Sequence, residues 1–494
     1  MPLQSLKTKP ITQTKEYGIF PVSKQIVKPL LNNDTFQKWL EQRNTIKQYI
    51  INEDKLRPYQ IEGVNKILNR RGIIGVFDQQ RLGKTPMVLF SLSIIKPTST
   101  LIIVPKSLLF NWYEECKKWY TDDVVVIKGT TKQRLKLYSE NHKVMIISYT
   151  LIHNDFEYIP DIECMIIDEA HRLRNFKGQR SSQSPITIKS ILKKSYNTKY
   201  RIAITGTPAP NKPDNIYPIL HFLYPNIFTS YYYFVDYYFE TKEVYISREQ
   251  TITEITGFKD NKQEELQDFL DYTTLQRKRI NYMKWIPKIS KQIVKVNFTK
   301  KENDWYKEIV DTYECEELGI NCANTLSQMI ALRKITCKTE EKYKWIQDYI
   351  KDYPDESIII VSEFTSYIKE LYKKTPNSYI ITGDTKSSDR LQIQNNFNNK
   401  VFNILFANID CIKEGMKFEE CATMIILDPS LTYTDNEQLE DRIIPTSQEK
   451  AIQKEKQQII YLITENSIDE YIRMQLNQKK TKVEIINDFN KFIH

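Results

Sequence analysis

The sequence predicts an α/β protein made of two parallel-sheet lobes with a helical, aromatic-rich insertion between them. Three observations carry this expectation. Short apolar strands alternate with helix-length amphipathic stretches from residue 72 to 207, the pattern of a parallel sheet covered by helices. The alternation stops near residue 210 and resumes from 357 to 466. In the first lobe, "FDQQRLGKTPMVLF" (77–90) joins the first strand to a helix through a turn that contains Gly83, Lys84 and Thr85.

Taken in order, the first-lobe strands are "GIIGVFD" (72–78), "TLIIVP" (100–105), "VVVIKG" (124–129), "KVMIISY" (143–149), "CMIIDEA" (164–170) and "YRIAITGT" (200–207). These are short apolar runs of the kind that parallel strands buried on both faces require. The segment "NIYPILHFLYPNIFTSYYYFVDYYFE" (215–240) breaks the pattern, and its aromatic residues are expected to pack between helices rather than to stack bases. The chain from there to about 340 reads as charged and helical. Strands resume with "SIIIVSEF" (357–364), "SYIITGD" (378–384), "FNILFAN" (402–408), "ATMIILDP" (422–429) and "QQIIYLITEN" (457–466). The expected divisions are an N-terminal extension (1–50), lobe one (51–212), the insertion and linker (213–340), lobe two (341–475) and a basic tail (476–494). Both short ends are expected to brace the lobes.

Composition narrows the class. With 494 residues the chain holds two to four ordinary domains, and 40% hydrophobic with 27% charged residues fits a soluble globular protein. No apolar run is long enough to cross a membrane, and "MPLQSLKTKPITQTKEYG" lacks the apolar core of a signal peptide. Seven scattered cysteines with no C-x-x-C, and only five histidines, argue against a zinc or disulfide framework and for a reducing cytoplasm, bacterial or host. The net charge of +9 permits a phosphate-backbone partner without demanding one. Basic residues bunch at 115–120, 171–180 and 276–288, each of which reads equally as a solvated face. The wealth of Ile, Lys, Asn and Tyr fits an AT-rich genome, viral or bacterial.

The loop at 78–85 departs from the strict G-x-x-x-x-G-K-[ST] phosphate loop, because Asp78 stands at the first glycine. Its surroundings favour an anion site nonetheless. A strand, a tight turn and a helix N-terminus aim backbone N–H groups and the helix dipole at one point. Lys84 would then reach the terminal phosphates and Thr85 would ligate Mg²⁺; alone, the loop also reads as a structural turn. The second anchor is "MIIDEAHRLRN" (165–175), in which a strand delivers Asp168 and Glu169 at its C-terminal end. Asp168 would hold Mg²⁺ through water, and Glu169 would polarise the water that attacks the γ-phosphate.

Motifs in fixed order extend the reading. "LRPYQIEGV" (56–64), "DQQRLGKT" (78–85), "LIIVPKSLLFNWYEECKKW" (101–119), "DEAHRLRN" (168–175) and "ITGTPAPN" (204–211) precede "ALRKITC" (331–337), "IIIVSEFTSYIKEL" (358–371), "ITGDTKSSDRLQIQNNFN" (381–398) and the run 413–448. Together they resemble the Swi/Snf-type ATPases of helicase superfamily two, across about residues 55 to 475. The resemblance implies two RecA-like lobes, ATP and Mg²⁺ as cofactors, and a nucleic-acid-stimulated ATPase that moves along duplex DNA, with RNA retained as an alternative. It implies adenine reading by Gln60 and nucleotide contacts from Asp78, Gln79, Gln80, Arg81, Leu82, Gly83, Lys84 and Thr85, with Gly415 and Gln438 from lobe two. It places 101–119 against the nucleic-acid backbone. Arg81 departs from the family, which has glycine there, and only Gly415 of a usual glycine pair is kept. The family's late motif has two arginines; here Arg442 is the first, and Pro445 replaces the second. Arg442 is therefore the expected arginine finger, with a structural role as the competing reading. Lys84, Asp168, Glu169 and Arg442 are the expected catalytic set, and Thr85 and Asp168 the metal set. Strand separation, branch migration or RNA remodelling with the same engine, and a non-hydrolysing nucleic-acid-binding scaffold, remain as alternatives.

Overall fold

Runs such as TLIIV and CMIID have no polar face, so as strands they must be covered on both sides. In the computed structural model they are. It describes residues 55–177, 185–209, 212–247, 250–286, 289–413, 415–445, 448–452, 457–478, 480, 484–486 and 488–489. The expected extension at 1–50 lies outside these residues, as does much of the basic tail. The chain forms two compact units divided between Tyr282 and Met283.

Unit 1 contains β1 (Ile73–Val76), β2 (Thr100–Val104), β3 (Val124–Val126), β4 (Val144–Ser148), β5 (Cys164–Asp168), β6 (Tyr200–Ile204), the hairpin strands β7 (Phe239–Ser247) and β8 (Gln250–Phe258), and β9 (Thr274–Leu275). Seven strands make one sheet in the order β3-β4-β2-β5-β6-β1-β9, and every pairing is parallel. Alternate residues go to opposite faces: Leu101, Ile103, Met165 and Ile167 enter one apolar cluster, Ile102, Val104, Cys164 and Ile166 the other. Helices α1 (Pro58–Asn69), α2 (Lys84–Ile95) and α3 (Leu109–Trp119) follow the expected strand-helix alternation. The aromatic stretch packs as expected, with Tyr217, Phe222, Phe228, Phe234 and Tyr238 buried in the first cluster.

Unit 2 repeats the plan with β10 (Ser290–Val296), the small pair β11 (Glu314–Cys315) and β12 (Ile320–Asn321), β13 (Ile358–Ser362), β14 (Ser378–Ile381), β15 (Ile404–Asn408), β16 (Thr423–Ile426) and β17 (Gln458–Thr464). Its six-stranded sheet runs β10-β17-β16-β13-β15-β14, again all parallel. Helices α4 (Thr325–Cys337), α5 (Glu340–Asp352) and α6 (Tyr433–Glu440) belong to this unit.

The expectation of a charged, helical stretch to about residue 340 needs correction. That stretch holds the antiparallel β7–β8 hairpin, and it contributes an edge strand to each large sheet, β9 to one and β10 to the other. The reason is physical. An edge strand such as SKQIVKV is largely exposed and carries lysines, so it lacks the apolar run that marks a buried strand.

Unit 2 buries a full ion pair. Lys342 has no exposed side-chain surface and donates to Asp469 Oδ2 at 2.7 Å and to the Leu427 carbonyl at 2.8 Å. Asp469 also accepts from the Thr336 hydroxyl at 2.7 Å and the Thr464 amide at 2.9 Å. Lys342→Met should strand this carboxylate and destabilise unit 2 by about 3–5 kcal/mol. Adding Asp469→Asn should recover much of the loss. Urea unfolding of the two variants checks both statements, and a double variant no better than the single one would dissolve the pair as the cause.

Candidate nucleotide site

The register of unit 1 sets the site. Val76 pairs with Ile204 and Ile204 with Asp168, so β1, β6 and β5 end at one level, and their loops leave the same sheet edge. Gly83 has φ 75° and caps α2, whose first two residues are Lys84 and Thr85. Arg81, where the resemblance expects glycine, keeps the same left-handed backbone with φ 74°. A non-glycine residue in that conformation costs roughly 1–2 kcal/mol, a penalty that glycine would avoid. Lys84 Nζ donates to the Asp78 carbonyl at 2.8 Å and the Gln79 carbonyl at 3.3 Å, which holds the ammonium over its own loop.

Gln60 is buried in the first turn of α1. Its Oε1 accepts from the Arg57 amide at 2.9 Å and its Nε2 donates to the Leu82 carbonyl at 3.3 Å. It thus ties α1 to the middle of the loop. Asp78 is fully buried, and its carboxylate is taken up by Arg277. The sequence singled out no role for Arg277 beyond its membership of the basic run 276–288. Gln79 is held by the same strip: its amide donates to the Arg277 carbonyl at 3.0 Å, and its side-chain oxygen accepts from the Arg279 amide at 2.7 Å.

On β5, Asp168 Oδ2 accepts from the Trp112 indole at 2.7 Å and Oδ1 from the Glu169 amide at 2.9 Å. Burial pushes the Asp168 carboxyl up to about 7 and the neighbouring Glu169 charge adds to the rise, while Trp112, the Glu169 amide and Lys84 act against it. Glu169 has φ 50°, a left-handed turn for a non-glycine residue directly after the strand. The Tyr149 hydroxyl secures that turn by donating to the Asp168 carbonyl at 2.7 Å. His171 Nδ1 lies 3.2 Å from Glu169 Oε2 and 3.1 Å from the Thr205 hydroxyl. Trp112 belongs to the segment that the resemblance sets against the nucleic-acid backbone, and nothing in the sequence marked it for the site; here its N–H serves a carboxylate of that site.

The donor set fits a hard cation. Thr85 and Asp168 offer oxygen alone, and a buried carboxylate whose ionised form is disfavoured gains from a bound positive charge. Among the described residues no cluster of three His, Cys, Asp or Glu forms a closed metal cage. Mg²⁺ is commonly held by one or two carboxylates plus substrate phosphates, so such a cage is not needed.

Gly415, Gln438 and Arg442 come together in unit 2. Arg442 is buried; its Nε donates to the Gln438 carbonyl at 2.8 Å and a terminal nitrogen donates to the Met416 carbonyl, beside Gly415, at 3.3 Å. Its own carbonyl accepts from the Phe418 amide at 2.8 Å. Arg442 therefore fastens the end of α6 to the loop 415–418.

Two all-parallel sheets, with a Gly-Lys-Thr turn opening α2 and an acidic pair at the end of β5, define a two-sheet α/β protein. The model of the SNF2-related domain matches residues 26–341, more than half of the chain, and the chain belongs to that family. A helicase conserved C-terminal domain matches residues 341–444. The chain is 24% identical over 478 residues to an ISWI chromatin-remodeling complex ATPase of Saccharomyces cerevisiae, covering 86% of this chain and 40% of that protein. It is 23% identical over 494 residues to a probable ATP-dependent DNA helicase of Arabidopsis thaliana, covering 89% of this chain and 44% of that one. The chain thus spans less than half the length of these relatives. Among solved structures, the SWI2/SNF2 ATPase core of Sulfolobus solfataricus in complex with dsDNA matches with a TM-score of 0.40 and 23% identity, covering 88% of this chain and 92% of that one.

A Cβ on Gly83 would lie 2.1 Å from Gln60 Nε2, so a side chain there must displace the Gln60 amide from the Leu82 carbonyl. Gly83→Ala should therefore lower stability by about 1–3 kcal/mol. Gln60→Ala in the same chain should remove the clash but not the backbone strain. A thermal-denaturation cycle should then show coupling above ~0.5 kcal/mol, whereas strict additivity would mean that the two residues do not meet.

Proposed function

We propose that this protein is an ATP-driven motor on nucleic acid, with duplex DNA as the favoured track. The observation that carries the reading is the convergence of Lys84, Thr85, Asp168 and Glu169 on one sheet edge. Membership of the SNF2-related family supports it, as do the relatives named as a remodelling-complex ATPase and a DNA helicase.

Each residue has a task that its chemistry suits. Lys84 and the N-terminus of α2 would hold the phosphate charge of ATP. Thr85 and Asp168 would hold Mg²⁺, which when bound neutralises charge on the phosphates. Trp112 and the Glu169 amide fix the Asp168 carboxylate from the protein side. Glu169 would accept the proton of the attacking water, with His171 as its neighbour. Gln60 would read the adenine edge while holding the loop. The net charge of +9 suits a partner bound through phosphates, and such contacts carry little sequence information, as a moving protein needs. No helix among the described residues is long and apolar enough to cross a membrane.

A second reading, strand separation by the same engine, is favoured by the β7–β8 hairpin in the region where a wedge would stand. Unwinding and translocation assays run on one preparation separate the two.

The deciding experiment is ATP turnover with duplex DNA, single-stranded DNA, duplex RNA and no nucleic acid. Duplex DNA should stimulate most. Lys84→Ala should lose turnover, and Glu169→Gln should keep ATP binding but lose about 100-fold or more in rate. Unstimulated turnover that survives Glu169→Gln would sink the assignment, and an ATP-inert protein would favour a binding scaffold.

Arg442 has a different task. Its hydrogen bonds to the Gln438 and Met416 carbonyls support a clamp on the loop 415–418 over a finger. Arg442→Ala should then lower the melting temperature together with activity, because buried carbonyls lose a charged donor worth about 1.5–3 kcal/mol. A variant with unchanged melting, unchanged ATP affinity and a large fall in kcat would restore the finger.

A further inference from the structure

The start of the phosphate loop is gripped by a residue 199 positions away. The Asp78 carboxylate has no exposed surface. It accepts the Arg277 backbone amide at 3.0 Å, Arg277 Nε at 3.0–3.1 Å and a terminal nitrogen of the same guanidinium at 2.5 Å. The other terminal nitrogen donates to the Tyr59 carbonyl in α1. The backbone of the two segments is laced together as well. Phe77 N–H donates to the Leu275 carbonyl at 2.7 Å and Gln79 N–H to the Arg277 carbonyl at 3.0 Å, so the β1–β9 pairing continues into the loop.

Neighbouring elements make room for this guanidinium. A Cβ on Gly63 would fall 2.9 Å from its nitrogen and 2.4 Å from Met87 Sδ, so α1 presents no side chain where Arg277 passes. The rings of Tyr59 and Tyr282 each lie 5.5 Å from the guanidinium carbon. The opposite edge of the same backbone faces the site: the carbonyls of Asp78 and Gln79 are those that hold Lys84.

We infer that Arg277 is the positioning residue of the phosphate loop, fixing Asp78 and, through the Asp78–Gln79 backbone, the carbonyls that hold Lys84. The inference rests on the nucleotide-site reading above and extends it. Arg277 touches the loop and not the phosphates, so its effect falls on the shape that receives ATP. The role needs a planar fork, because one group serves both Asp78 oxygens and the Tyr59 carbonyl; an ammonium on a flexible stem does not reproduce that geometry. It also accounts for Asp78 standing where other phosphate loops begin with glycine.

The test uses the full chain with Glu169→Gln as parent, so that ATP is bound without being consumed, and a fluorescent MgATP analogue as probe. Two variants are compared with it. Arg277→Lys keeps the charge and loses the fork. Asp78→Asn with Arg277→Gln replaces the pair by neutral groups of similar shape, which avoids stranding a buried charge. Both should bind the analogue about tenfold or more weakly. In the hydrolysing background the same changes should raise KM far more than they lower kcat. A merely structural pair would lower the melting temperature and the folded fraction while leaving the Kd of the folded molecules unchanged. Either folded variant binding within about threefold of the parent overturns the inference. A parent that fails to bind the analogue overturns the proposed function, and this inference with it.

Discussion

A buried carboxylate at the exit of a parallel strand sets the terms for unit 1. Asp78 sits where β1 ends and the loop begins, and an uncompensated charge in that position costs several kcal/mol. The guanidinium of Arg277 supplies the compensation only if β9 runs beside β1, if α1 opens a gap at Gly63, and if the chain returns to this point after the hairpin. The loop, the sheet edge and the end of the unit are thereby made interdependent. Gln60 adds a second tie from α1 to the Leu82 carbonyl, so the loop is held at its start and its middle by elements that make no covalent connection to it there.

Unit 2 solves a related problem with other residues. Arg333 on α4 is buried and reaches Glu363 at 2.9 Å, the Pro429 carbonyl at 2.7 Å and Asp428 at 3.5 Å. Burial pushes the Asp428 carboxyl up to about 6, and the Arg333 charge works against that rise. Lys342 and Asp469 form a second buried node, linked to α4 through the Thr336 hydroxyl. In both units, charges fasten helices to the strand ends from which the loops leave. Apolar packing fills the two faces of each sheet, but it has no directional preference; the ionic nodes supply it at the edge.

The acidic pair shows the same division of labour on a smaller scale. The apolar run of β5 carries Asp168 to the sheet edge, and the chain turns left-handed at Glu169 directly after it. Trp112, from a helix that begins five residues after β2, then donates to Asp168. Because α3 packs on the sheet over β3 and β4 and reaches the end of β5 through Trp112, the orientation of this carboxylate is tied to the placement of a whole helix.

The strands β1 to β6 and β13 to β17 were legible in the order of amino acids alone. Each is an apolar run bounded by polar turns, and burial on both faces leaves no other place for residues such as Ile102 or Ile359. The Gly83-Lys84-Thr85 turn and the adjacent Asp168 and Glu169 were legible as candidates too, because they are residue types at fixed local spacing. The edge strands β9 and β10 were not legible, since two residues carry no period and an exposed strand carries no apolar run. Nor were the partners that Arg277, Trp112 and Arg442 meet, although a structural Arg442 was the competing reading from the start. Each acts through a partner distant in the chain or through a backbone carbonyl, and a carbonyl looks alike at every position in a sequence. Only the fold decides which carboxylate an arginine meets. Here it brings Arg277 to Asp78 because β9 completes the sheet beside β1.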